Sequence, residues 1–108
     1  MTYRLNVTNK ARDDITRNAS WWAENHSLEE ALKWHDAIYA QLDTLLSFPE
    51  RHAVAPENDE FEYEIREKPI GVGPKPSYRA IFTIVDDEIR VLAVHRAAQD
   101  DVKPTDFD

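Results

Sequence analysis

The sequence predicts an α+β fold: a two-layer sandwich in which an N-terminal strand and a helical hairpin precede a three-stranded antiparallel meander. Three observations predict it. Residues 3–8 alternate apolar and polar; residues 10–26 and 27–46 carry apolar residues at helical spacing with almost nothing between them; and from residue 61 the period returns to two. Helices with one apolar stripe and a sheet with an apolar face bury each other when stacked. The 108 residues, 42% hydrophobic and 10% aromatic, suffice for one core and are read as one domain, 1–108.

In the first strand, Tyr3, Leu5 and Val7 share one side. The first helix runs from about Lys10 to His26, with Ala11, Ile15, Ala19 and Trp22 as its stripe. Thr8 or Asn9 caps it, Asp13 and Asp14 suit its positive end, and Asn25-His26 ends it. Ser27-Leu28-Glu29-Glu30 has the form of a capping box and opens a second helix that runs to about Leu46. Its expected stripe is Leu28, Ala31, Leu32, His35, Ile38, Leu42, Leu45 and Leu46, packed on the sheet. Phe48-Pro49 breaks the pattern, and residues 49–60 are expected as loop. Phe61, Tyr63 and Ile65 alternate with Glu60, Glu62, Glu64 and Arg66, which predicts a strand with one charged face; Lys68–Pro76 is then a turn-rich connection. Residues 78–85 and 88–96 form a hairpin around Asp86-Asp87, and the polar tail Asp100–Asp108 is expected to fray.

Cysteine is absent, which excludes disulfides, thiol nucleophiles and Cys-based zinc sites. No apolar run approaches the roughly 20 residues of a membrane span, and the N-terminus lacks the apolar stretch of a signal peptide. A cytoplasmic protein without a membrane partner is expected. Thirteen Lys and Arg against twenty-one Asp and Glu give a net charge of −8, with −2 in residues 1–54 and −6 in 55–108. Phosphate neutralisation supplies much of nucleic-acid affinity, so this balance weighs against a nucleic-acid partner unless the cations cluster.

Six acids, Glu57, Asp59, Glu60, Glu62, Glu64 and Glu67, lie within eleven residues. Paired carboxylates hold divalent metals or act as acid and base, but period-two acids also mark a solvated edge strand, and that reading is preferred. No histidine pair has zinc-site spacing, so no metal and no cofactor is expected. His35, on the helical stripe, is expected partly buried and hydrogen-bonded. His95 ends a strand beside Arg96 and is a candidate general base. Gly71-Val72-Gly73-Pro74-Lys75 lacks phosphate-loop spacing and is a hairpin connection. Trp21 and Trp22 point about 100° apart on their helix; Trp22 joins the stripe, leaving Trp21 either to cap the core beside Trp34 or to belong to a partner surface. Arg66, Arg79, Arg90 and Arg96 lie on the C-terminal strands and either converge on an anion or pair with the surrounding carboxylates.

Taken together, these residues resemble the RelE/ParE superfamily of bacterial toxins. Tyr3-Arg4-Leu5 with Ala11, Asp14 and Ile15 is similar to its opening strand and first helix. Ala31-Leu32-Lys33-Trp34, followed by Leu42, Leu45, Leu46 and Phe48-Pro49, is similar to its second helix and exit. Glu64-Ile65-Arg66, Tyr78–Phe82 and Ile89–Arg96 are similar to its terminal strands. The likeness spans roughly residues 3–99, and the ending Val94–Asp100 is similar to that of ParE-like and plasmid-stabilisation proteins.

The resemblance implies a toxin of a type II toxin–antitoxin system. A ParE-like member binds a protein target such as DNA gyrase, does not itself bind DNA, and is neutralised by a small antitoxin that wraps the sheet and helical hairpin; Trp21, Trp34, Arg79 and Arg96 are its candidate partner-binding residues. A RelE-like member is an mRNA endoribonuclease on the ribosome. There Arg66, Arg79 and Arg96 stabilise phosphate charge while His95, or a carboxylate such as Glu60, takes the 2′-hydroxyl proton. A third possibility is a non-toxic member that kept the fold. The acidic balance favours the first and third over the second.

Overall fold

The computed structural model describes residues 2–98 and 101–107. Strand β1 (Arg4–Val7) leads into helix α1 (Asn9–Asn25) and helix α2 (Leu28–Asp43), followed by strands β2 (Arg66–Ile70), β3 (Tyr78–Val85) and β4 (Glu88–Arg96). The four strands form one sheet in the order β1-β4-β3-β2. The first strand pairs parallel with β4, from Arg4 opposite Glu88 to Val7 opposite Val91, and the other pairings are antiparallel. This is the expected α+β architecture.

Local chemistry sets the boundaries. The Thr8 hydroxyl accepts from the Ala11 amide and caps α1, while its own N–H and hydroxyl donate to the Val91 carbonyl. Ser27 accepts from the Glu30 amide at 3.1 Å and opens α2 as expected. In the β3–β4 turn Asp86 takes φ 55°, a left-handed conformation that Asp tolerates better than most residues. Leu92 has no partner between the Ile81–Ala93 and Phe82–Val91 pairs, which makes a bulge in β4.

The helices cover one face of the sheet around Ile15, Trp34, Ile38, Leu42, Phe82 and Val91. Helix α2 is rotated from the predicted face. Ala31, Trp34, Ile38 and Leu42 are buried, whereas Leu28 and Leu32 are 67% and 57% exposed. Trp34 is the reason: its larger apolar area turns the helix so that the indole, and not the two leucines, enters the core. His35 is half-buried against Tyr39.

Two further expectations are corrected. Strand β2 starts at Arg66, not at Phe61, so Lys68 to Ile70 is strand and not connection. Residues 61–65 run as irregular chain, held by Asn58, whose side-chain oxygen accepts from the Ile65 amide at 2.8 Å, and by Ala55 N–H donating to the Ile65 carbonyl. Pro69 is tolerated because β2 is an edge strand. The tail also departs from expectation. Val102 is fully buried, and Phe107 packs on Phe61 at 6.0 Å. They complete a second small core on the sheet face away from the helices, with Ala55, Ile65, Ile81, Leu92 and Ala93. Asp100 and Asp108, also expected to fray, and Gln99 lie outside the described residues. Among the described residues no helix is long and apolar enough to cross a membrane.

Candidate functional site

Strand register decides which candidate residues meet. Cross-strand partners share a face, so Arg79 and His95, which are opposite each other on β3 and β4, lie together on the face away from the helices. Arg96 pairs with Tyr78 and Arg66 with Phe82, which puts both on the helix side. Arg66, Arg79 and Arg96 therefore do not converge on one anion.

Arg79 is 9% exposed and is held by two carboxylates. Its Nη1 donates to Glu57 Oε1 and to Glu67 Oε1, both at 2.9 Å, and its Nη2 pairs with Glu57 Oε2. Glu67 comes from β2, next to Arg79 on the same face, and Glu57 from a 3-10 turn, Pro56–Glu60, folded over it. The Val102 amide also donates to Glu57, at 3.0 Å, and ties the tail to the pair. The Arg79 hydrogen bonds, helped by the Val102 amide, hold the Glu57 carboxyl at about 2 against the opposing effect of burial. The Glu57 hydrogen bond likewise raises the Arg79 guanidinium, with Glu67 adding to it.

His95 is buried beside a second network centred on Asp14. Strand β1 is only four residues long and pairs with residues 88–91 of β4, leaving the later β4 edge to the start of α1. There the Asp14 carboxylate, 4% exposed, accepts from the Val94 amide at 3.0 Å, from Lys10 Nζ at 2.9 and 3.1 Å, and from Arg17 Nη2 at 2.9 Å. Lys10 Nζ also lies 3.1 Å from His95 Nε2. An ammonium only donates, so Nε2 is the acceptor in that contact, and the lone pair a general base needs is already engaged. A cleft of about 270 Å³ opens beside this network, with Lys103, Asp101 and Asp106 on its far side.

The remaining candidates are also engaged. Arg66 Nη1 donates to the Glu50 and His52 carbonyls at 2.9 and 2.6 Å, and its Nη2 to Glu64 at 2.8 Å, which clamps the loop ahead of β2. Arg96 lies 4.2 Å over the Trp21 ring, a cation–π contact at the rim of the helical layer. Trp21 is 37% exposed and stands at the surface. Trp34, one of the candidate partner-binding residues, is in the core at 2% exposure, its ring 5.0 Å from that of Tyr78. Among the acids expected to be solvated, Glu60, Glu62 and Glu64 are exposed, whereas Glu57 is buried.

The match to known families is to the one described as the ParE toxin of type II toxin–antitoxin system, parDE, over residues 5–101. The chain belongs to the ParE toxin family. Among solved structures, one described as the chromosomal ParDE toxin–antitoxin system from P. aeruginosa superposes with a TM-score of 0.73 at 23% identity, covering 88% of this chain and 96% of that one. A double-mutant E. coli toxin RelE in the free state superposes with a TM-score of 0.57 at 15% identity, covering 91% of this chain and 86% of that one. No curated protein matches the sequence.

In this ParE-family chain, sequence reasoning placed Glu57 among solvated acids, and it missed Lys10 and the buried role of Asp14. Asp14 at the start of an amphipathic helix, four residues after Lys10, signals a local ion pair. Its bond to Val94 depends on a contact 80 residues away that no local pattern encodes.

Proposed function

We propose that this chain is a type II toxin that acts by binding a protein target, such as DNA gyrase, and is neutralised by a small antitoxin. The observation that carries this reading over the ribonuclease is the engagement of the candidate catalytic groups within the fold. Arg79 faces Glu57 and Glu67, Arg66 holds loop carbonyls, and His95 Nε2 accepts from Lys10. In-line attack by a 2′-hydroxyl needs a base with an open lone pair and cations turned to the scissile phosphate. The net charge of −8 opposes approach to ribosomal RNA over about 8–10 Å, the screening length in physiological salt. Binding to a protein has neither requirement, since a few buried anchors carry such affinity. The proposed setting is the cytoplasm, without cofactor, membrane or direct DNA contact.

Expression of the chain in bacteria tests the reading. Growth arrest, reversed by the product of the neighbouring small reading frame, is expected, with no codon-positioned cuts in messenger RNA. Cuts that vanish in Arg79→Ala and His95→Ala would put the ribonuclease first. Unimpaired growth with folded protein would identify a non-toxic member.

A further inference from the structure

Helix α2 buries only part of its circumference. At about 100° per residue, Leu28, Leu32, His35 and Tyr39 form a strip beside the core-facing residues, and Glu29, Asp36 and Asp43 form the flank beyond it. The strip is about 17 Å long at the helical rise of about 1.5 Å per residue. It begins with two exposed leucines one turn apart and ends on Tyr39, half-buried against the core, with the His35 and Tyr39 rings 4.9 Å apart. Single exposed apolar residues are ordinary, but two exposed leucines one turn apart, continued by the half-buried His35 and Tyr39 rings, offer another helix a line to pack on.

The flank identifies the partner's chemistry. Residues 28–43 contain four acids, Glu29, Glu30, Asp36 and Asp43, and one base, Lys33, which gives 1 − 4 = −3. Among the described residues, no lysine or arginine pairs with Glu29, Asp36 or Asp43. We propose that this strip is the docking surface for a cationic amphipathic helix of the antitoxin, with apolar side chains against Leu28 and Leu32 and lysines or arginines facing Glu29, Asp36 and Asp43. The identity of the partner rests on the toxin reading above; the chemistry of the surface does not. A second copy of this chain fits worse, because its α2 would bring another −3 and one lysine to the contact. An acidic segment would meet like charge along its whole length.

The probe is a synthetic helical peptide of about four turns with leucines at i, i+4, i+7 and i+11 and lysines on both flanks, compared by fluorescence anisotropy with a twin carrying glutamate for lysine. The lysine peptide is expected to bind the full chain at least about tenfold more tightly than its twin. The Leu28→Glu/Leu32→Glu variant is expected to lose about tenfold in that binding with its circular dichroism and melting temperature unchanged, since both side chains are exposed. Glu29→Lys with Asp36→Lys should transfer the preference to the glutamate peptide. Equal binding of the twins, binding untouched by the leucine variant, or a dimer of this chain that the leucine variant dissolves would overturn the proposal. Growth experiments separate it from the toxin reading. Arrest that the neighbouring-frame product neutralises equally well in the Leu28→Glu/Leu32→Glu variant removes the docking surface and leaves the toxin. Selective peptide binding without arrest by the wild-type chain keeps the docking surface for a cationic helix and removes the toxin.

Discussion

Glu57→Gln is the most informative single substitution outside the helical layer. The side chain keeps its shape and an acceptor for Arg79, so the change removes charge with little effect on packing. Moving a carboxyl from 4.5 to about 2 on folding corresponds to about 3 kcal/mol of preference for the ionised form, at about 1.4 kcal/mol per pH unit. Breaking a buried ion pair costs about 3–5 kcal/mol. Because Arg79 retains Glu67, the lower figure applies, about 3 kcal/mol at pH 7, or about 10–20 °C in melting temperature for a domain of this size. The pH dependence has a definite sign. A carboxyl whose folded value is depressed contributes fully above its unfolded value, and its contribution is lost as pH falls through the folded value. Wild-type stability should therefore decline between about pH 4.5 and 2 with a component of about 1.4 kcal/mol per pH unit that Glu57→Gln lacks. Urea denaturation at a series of pH values measures both quantities. A variant within about 0.5 kcal/mol of wild type at pH 7, with the same acid slope, would refute the argument that Glu57 is ionised and paired in the folded chain.

Two other substitutions test the packing. Leu42→Ala, at a fully buried site, should cost about 2–5 kcal/mol in chemical denaturation, whereas Leu28→Ala should stay within about 0.5 kcal/mol; equal costs would mean that α2 presents a different face to the sheet. Asp14→Ala removes the shared acceptor of Lys10, Arg17 and the Val94 amide and should cost about 3 kcal/mol. Hydrogen exchange at Val94 should then accelerate more than at Val91.

What was legible in the sequence follows the range of the interactions involved. The Thr8 and Ser27 caps, the two helices and the 78–85/88–96 hairpin arise from contacts among near neighbours, and their residue types announce them. The face of α2 was misjudged because leucine periodicity counts apolar positions equally, whereas burial favours the largest apolar surface, which is Trp34. Residues 60–66 alternate as a strand does, but Ala55 and Asn58 bind Ile65 and fold that stretch back on itself; Pro69 disguised the true strand, since proline weakens any strand assignment away from a sheet edge. For the candidate site, the residue types on β3 and β4 were readable and pairing of the arginines with carboxylates was one of two readings, but the choice between them and the partners themselves were not. Whether an arginine is open or neutralised depends on partners such as Glu57, 22 residues away in sequence.

The acidity of the chain and the engagement of its basic groups are connected through the sheet. A buried arginine needs compensating carboxylates, because an unpaired buried charge is costly. Arg79 has two of them, and Glu57 is itself anchored by the Val102 amide. The Glu57–Arg79–Glu67 cluster carries a formal charge of −1 and lies on the sheet face on which a phosphate would have to approach Arg79 and His95. Freeing Arg79 would mean displacing the turn at Pro56–Glu60 and the tail together, since both meet at Glu57. Folding thus converts Arg79 on β3 and Arg66 on β2 into structural ties, and the surface left for recognition is apolar and anionic. A protein partner with exposed apolar side chains and positive charge suits that surface, and a polyanion does not.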